Sequence, residues 1–213
     1  VSGIGAAPSF KLLRPLMPAA ADAALARLRE THEYSTSFIF LFCALDLRKL
    51  PAEEAVRVDT SSHNRWIYPH ENFTQMEKDY AATPAAEAFD HPLPMFVASG
   101  SAKDADWERR FGRDKKTVVV LSQCPWSWVE RFSKLGKKER EANSAYQAFK
   151  AKATEAMMRQ GFRRVFPQLE KAVTFTELGT PLSTNHFLAK DVGECYGRAA
   201  IPKHWGCTDL VPQ

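Results

Sequence analysis

SFIFLFCALD, from Ser37 to Asp46, is the stretch on which the fold turns. Phe38, Phe40 and Phe42 alternate with Ile39, Leu41 and Cys43. In a strand the three rings share one face, and the aliphatic residues and thiol share the other. Both faces are apolar, which predicts a strand covered on both sides. Cys43 inside that run reads as a buried, reduced thiol. The Phe stripe leaves two uses open: lining an apolar ligand cavity, or burying a helix.

Outward from this strand, further strands are expected at Arg65 to Pro69, Met95 to Ser99, Thr117 to Ser122 and Ala172 to Leu178. TVVVLS at 117–122 is rich in β-branched residues and reads as a second doubly buried strand. Ala19 to Glu30, rich in Ala, Leu and Arg, has high helix propensity. The clearest helix is expected over Lys138 to Gln160. There Ala142, Ala145, Tyr146, Phe149, Ala153, Ala156 and Met157 recur at three- and four-residue spacing, with Gly161 as its end. Pro125 opens a short helix carrying Trp126, Trp128, Val129 and Phe132, rings that pack in a core or anchor at a membrane interface.

Composition narrows the function classes. In 213 residues, 45% are hydrophobic and 25% charged, a globular balance. The net charge of +4 is spread over scattered pairs such as Lys115-Lys116 and Arg163-Arg164. Nucleic-acid binders concentrate basic residues in a stripe, so no nucleic-acid partner is expected. Four cysteines far apart, with no CxxC, do not make a disulfide framework. They favour a reducing, intracellular compartment. The longest apolar run, Phe38 to Leu45, is too short to span a bilayer. The chain opens on Val1 with VSGIGAAPSF, which reads as the end of a strand entered mid-protein, and it stops at LVPQ. Both ends are expected to belong to a longer protein.

Common catalytic patterns are missing. There is no GxSxG elbow, and the histidines lack a paired motif. His204 and Cys207 form a lone pair without partners at finger-like spacing, so no metal site is expected. Gly3 and Gly5 begin a GxGxxG, but Pro8 stands where the third glycine belongs.

One polar segment is unlike the rest: GTPLSTNHFLAKDVGECYG, Gly179 to Gly197. Thr180-Pro181 calls for an extended residue before a turn or helix start, with Ser183, Thr184 and Asn185 as natural caps. Gly193 and Gly197 bracket Glu194-Cys195-Tyr196 and permit close approach of the backbone to something bulky.

This segment, together with NRWIYPHENF (64–73), SAKDADWERRF (101–111) and KKTVVVLSQCPWSWVERF (115–132), resembles the retinol saturase and carotenoid isomerase branch of the phytoene-desaturase-like FAD flavoproteins. VSGIGAAPSFKLLRPLMP resembles the strand and turn where such enzymes leave their flavin domain. The resemblance covers nearly the whole chain, in the family's order. It implies an α+β fold: a mixed, largely antiparallel sheet with covering helices, residues 1–213 forming one substrate-binding lobe. The flavin-binding segments are not in this sequence, so FAD would be bound only by the full-length protein. The implied activity is an oxidoreductase acting on CH–CH bonds, saturating a C=C bond of a retinoid or carotenoid-like polyene. A cis-trans isomerase, a desaturase-like member, or a non-catalytic lobe binding an apolar lipid or a partner protein are the alternatives. The resemblance further implies Tyr196 and then His186 as proton donors, ahead of Glu194 and Cys195, and Gly193 and Gly197 against the cofactor. Phe38, Phe40, Phe42, Trp66 and Tyr68 would bind the apolar polyene. Relatives act at endoplasmic-reticulum or plastid membranes, which implies peripheral membrane contact.

Overall fold

The computed structural model describes residues 5–31, 33–56 and 63–201. The elements run α1 (Ala6–Leu13), α2 (Pro18–Thr31), β1 (Phe38–Asp46), α3 (Ala52–Val56), β2 (Arg65–Ile67) and α4 (Phe73–Ala82). Next come β3 (Met95–Ala98), α5 (Trp107–Phe111), β4 (Lys115–Gln123) and α6 (Lys137–Ala142). The remainder are α7 (Ser144–Met157), α8 (Arg163–Val165), β5 (Val173–Gly179) and α9 (Pro181–Leu188). The chain divides into two compact units, Phe38–Thr180 on one side and Val1–Ser37 with Pro181–Gln213 on the other.

The larger unit is built on one five-stranded sheet of order β2-β3-β4-β1-β5, every described pairing antiparallel. The α+β expectation is borne out. SFIFLFCALD supplies β1, an interior strand paired with β4 on one side and β5 on the other. Its Ile39, Leu41, Cys43 and Leu45 are buried, as are Val118 and Val120 of β4 and Met95 and Val97 of β3. Helical segments cover this face. Cys43 Sγ lies 3.9 Å from Met158 Sδ, and burial pushes its thiol pKa up to about 12. That agrees with the buried, reduced cysteine read from the sequence.

The other face overturns an expectation. Neither β1 nor β4 is covered on both sides: Phe38 and Phe40 are half-buried and Phe42 is exposed, while Val119 and Leu121 of β4 are half-buried. Apolar character on both faces therefore marks a strand with one core face and one open face.

The long helix expected over Lys138 to Gln160 is interrupted. Asn143 takes an extended conformation and its side chain accepts from the Tyr146 N–H at 2.9 Å, starting α7 afresh. Gly161 does not end a helix. The chain continues from α7 through a π-turn, Met158–Phe162, into α8. A Cβ at Gly161 would sit 2.6 Å from Val120 Cγ1 and 2.9 Å from Met95 Sδ, so the glycine marks where helix backbone meets sheet. The helix expected after Pro125 is two 3₁₀ turns, Trp126–Trp128 and Glu130–Phe132. Trp128 takes the core role: fully buried, it packs its ring against Tyr80 and Phe89 and donates from Nε1 to the Thr83 carbonyl at 3.0 Å.

In the smaller unit, residues 6–13 of the opening segment are helix α1, not the end of a strand. Gly5, at φ 98°, breaks the chain just before it, and Pro8 falls in the first turn, where no N–H is required. Pro181 likewise opens α9, so Ser183, Thr184 and Asn185 lie inside that helix instead of capping it. Asn185 donates to the Lys190 carbonyl at 2.6 Å and so fastens the loop that follows.

Candidate functional site

Phe38, Phe40, Phe42, Trp66 and Tyr68 are brought onto one face of the sheet, the face that helices leave open. The register explains how. Trp66 pairs with Phe96, Phe96 with Leu121, Leu121 with Phe40 and Phe40 with Gly179, one residue from each of the five strands. At ~4.8 Å between strands this row spans roughly 19 Å. Parallel to it run Ala98, Val119, Phe42 and Glu177.

Ring contacts knit the row together. Trp66 and Tyr68 stack at 6.2 Å between centroids and 4° between planes, and Trp66 meets Phe96 edge-on at 4.8 Å. Phe40 and Phe42 stack at 6.1 Å and 7°. Tyr68 meets Phe73, the first residue of α4, at 4.8 Å. Trp66 is 62% exposed and Phe42 51%. A buried phenylalanine is worth ~1.5–3 kcal/mol, so covering each half-open ring gains about 1 kcal/mol. Four such rings (Trp66, Tyr68, Phe42 and Phe175, all exposed) give about 4 kcal/mol, equivalent to an affinity of about 1 mM. A ligand held more tightly needs a second wall over this face.

Sequence reading missed Phe96, Leu121, Phe73 and Phe175. Parity along MFVA and TVVVLS was the available signal for the first two. The gap at Gly179 matters as well: it ends the row with the Phe42 ring 3.8 Å, and Phe40 Cβ 3.9 Å, from where a side chain would begin.

The other sequence-predicted residues lie in the smaller unit. GECYG runs antiparallel to the segment leading into β1. The Ser35 N–H donates to the Gly197 carbonyl at 2.9 Å, Cys195 N–H to the Thr36 carbonyl at 3.1 Å, and Ala199 N–H to the Glu33 carbonyl at 2.7 Å. The Tyr196 N–H donates to Ser35 Oγ at 3.0 Å, and its side chain is 73% exposed. His186 sits exposed on α9, its ring edge-on to Phe187 at 4.8 Å. The two bracketing glycines differ. Both have positive φ, 66° and 72°. A Cβ on Gly193 would fall 2.4 Å from the Pro181 carbonyl oxygen, so the chain itself fills that space. A Cβ on Gly197 would meet nothing within 4 Å.

The same unit holds a cluster of ionisable groups that the sequence did not reveal. Tyr34 donates to Asp191 Oδ2 at 2.8 Å, and Lys11 pairs with the other carboxylate oxygen. Burial, and then the Asp191 acceptor, push the Tyr34 phenol well above its usual range. Burial would raise Asp191, but hydrogen bonds from Lys11 and Tyr34 hold it below the ordinary carboxylate value. Glu194, 4% exposed, moves the other way: burial raises it, opposed by the Val192 N–H, which donates to it at 3.2 Å, and by nearby Lys190.

Among the described residues no group of three or more His, Cys, Asp or Glu is placed to hold a metal. His204 and Cys207 lie outside the described residues. No described helix is long and apolar enough to cross a membrane.

The molecule so defined is an α+β chain whose antiparallel sheet presents one helix-covered face and one open, aromatic face. No family model matches it. It is similar to the human all-trans-retinol 13,14-reductase, 35% identical over 136 residues, covering 64% of this chain and 22% of that protein. It is similar also to the zebrafish (Danio rerio) all-trans-retinol 13,14-reductase, 27% identical over 165 residues, 78% of this chain and 26% of that protein. The rat protein of the same name is 31% identical over 136 residues. The resemblance to the retinol saturase branch is borne out over these residues. The chain spans about a quarter of the length of the curated relatives it matches.

Proposed function

We propose that this chain is the substrate-binding part of an FAD-dependent oxidoreductase that saturates a C=C bond of a retinoid or a related polyene. The observation that carries the reading is the open aromatic row, Trp66–Phe96–Leu121–Phe40, with Phe38, Phe42 and Tyr68 beside it. A polyene offers a long apolar body and no charge, and such a row binds it by dispersion and ring stacking with few polar demands. The similarity to proteins named all-trans-retinol 13,14-reductase supports this class of substrate.

In the full-length protein a reduced flavin would supply the hydride. This chain's residues would bind and orient the polyene and exclude water from it. Tyr196 is proposed as the proton donor and His186 as the second candidate. The exposure of Tyr196 supports that role, since a donor must reach the reacting carbon. The open space at Gly197 fits the approach of a flat group there. Gly193 would serve the same loop by letting it close on Pro181. The pyrophosphate of FAD is assigned to other segments of the longer protein. Exposed Leu12, Leu16, Phe187 and Leu188 support peripheral contact with a membrane, where an apolar substrate is collected.

The test is a titration of all-trans-retinol into the chain, followed by quenching of tryptophan fluorescence. Saturable binding that is weakened in Trp66→Ser and Phe42→Ser, with the fold of each variant checked by its melting temperature and circular dichroism, supports the reading. Binding equal in both variants and wild type overturns it.

A further inference from the structure

Three arginines lie close together in the chain, Arg159, Arg163 and Arg164, and the π-turn decides which of them act together. In an α-helix residue 163 would stand one turn above residue 159. Through Met158–Phe162 the hydrogen bonds span five residues instead of four, which brings Arg164 over Arg159. Arg163 is turned aside and neutralised twice, by Glu155 at 2.7 Å and Glu170 at 2.6 Å. Arg159 and Arg164 have no acidic partner among the described residues, yet both line one cleft of about 420 Å³.

The cleft has a built frame. Gln160 accepts from the Leu93 N–H at 2.9 Å and donates to the His91 carbonyl at 3.3 Å, tying the π-turn to the loop before β3. Pro69 and Pro92 give it apolar walls, backed by the buried Ile67 and Leu93. Asp90 also lines it, and its carboxylate is already held by Lys152 at 2.8 Å. Two unneutralised guanidiniums above apolar walls, in a volume of small-ligand size, form a pattern of definite chemistry. Guanidinium forks match carboxylate and phosphate oxygens.

We propose that this cleft binds a small amphipathic anion, its acidic head between Arg159 and Arg164 and its apolar part against Pro69 and Pro92. The site is separate from the aromatic row: Ile67 and Trp66 are neighbours on β2 and point to opposite faces of the sheet. It does not depend on the polyene reading.

Calorimetric titration of the intact chain with decanoate, decyl phosphate, inorganic phosphate and neutral decanol tests it. Saturable binding of decanoate or decyl phosphate, weakened at least roughly tenfold in Arg159→Gln/Arg164→Gln and weakened by salt, is the expected result. Preference between the two amphiphiles identifies the head group, and weaker binding of inorganic phosphate reports the apolar walls. Arg163→Gln should leave affinity unchanged while lowering thermal stability. Both cleft arginines are exposed, so each single variant keeps the fold and provides a check if the double variant does not. Absence of saturable binding, decanol binding as well as the anions, or affinity untouched by the arginine variants overturns the proposal.

Discussion

Gly161 and Val120 are in such close contact that a methyl group on the glycine would lie 2.6 Å from Val120 Cγ1. The π-turn therefore rests its backbone directly on β4, with Met95 of β3 on its other flank at 2.9 Å. Substituting Gly161→Ala forces the turn, or the Val120 and Met95 side chains beneath it, to shift. Overpacking of this kind costs about 1–3 kcal/mol. Alanine is a better helix former than glycine by about 1 kcal/mol, which works against that loss. The expected outcome is a net destabilisation in urea unfolding, larger for Gly161→Val than for Gly161→Ala. Equal or raised stability in both would show that the contact relaxes freely.

How much of this was legible beforehand depends on the range of the signal. The alternation in Phe38–Cys43 located β1 and sorted its side chains correctly, because strand parity is local. Whether its second face is covered depends on which helices pack there, and no residue of β1 carries that information. The family resemblance singles out Phe38, Phe40, Phe42, Trp66 and Tyr68 as candidates, but only register places them on one surface, across strands distant in sequence. A glycine after an apolar stripe usually ends a helix, so the local pattern at Gly161 points to an end. Its actual role depends on Val120, 41 positions earlier in the chain. The Tyr34–Asp191–Lys11 cluster joins three distant positions and left no pattern to read.

Glu194 should make the smaller unit less stable as the pH rises. Its folded-state pKa is raised by burial, so its contribution is fully present below the unfolded value of about 4.5 and is lost as pH rises through the folded value. Asp191 acts in the opposite sense: its lowered pKa gives stability above about 3.8 that is lost as pH falls through the folded value. Glu194→Gln removes the first effect and keeps an acceptor for the Val192 N–H. The melting temperature of Glu194→Gln relative to wild type should therefore rise with pH, with Lys190 and Asp191 as the charges facing the site. A difference that stays flat from acid to neutral pH would mean the carboxyl titrates normally.

The chain alone should not retain FAD. The proposed reading assigns the pyrophosphate to other segments, and Gly3, Gly5 and Pro8 do not complete a GxGxxG. Purified chain should be colourless, and the visible spectrum is the measurement. A flavin band at near-stoichiometric intensity would move the cofactor site into these 213 residues.

Tyr196 should matter for turnover and not for folding in the full-length, flavin-loaded protein. Its side chain is 73% exposed, so it contributes little packing, and its backbone is already anchored through the Ser35 hydroxyl. Tyr196→Phe keeps the ring and those backbone bonds while removing the phenolic proton. Loss of a positioned acid typically lowers the rate by about 10²–10⁴. The expected result is a fall of that size in saturase turnover with an unchanged melting temperature. His186→Gln should have a smaller effect on the same assay if Tyr196 is the donor. Normal turnover in Tyr196→Phe together with a large loss in His186→Gln would transfer the acid role to the histidine on α9.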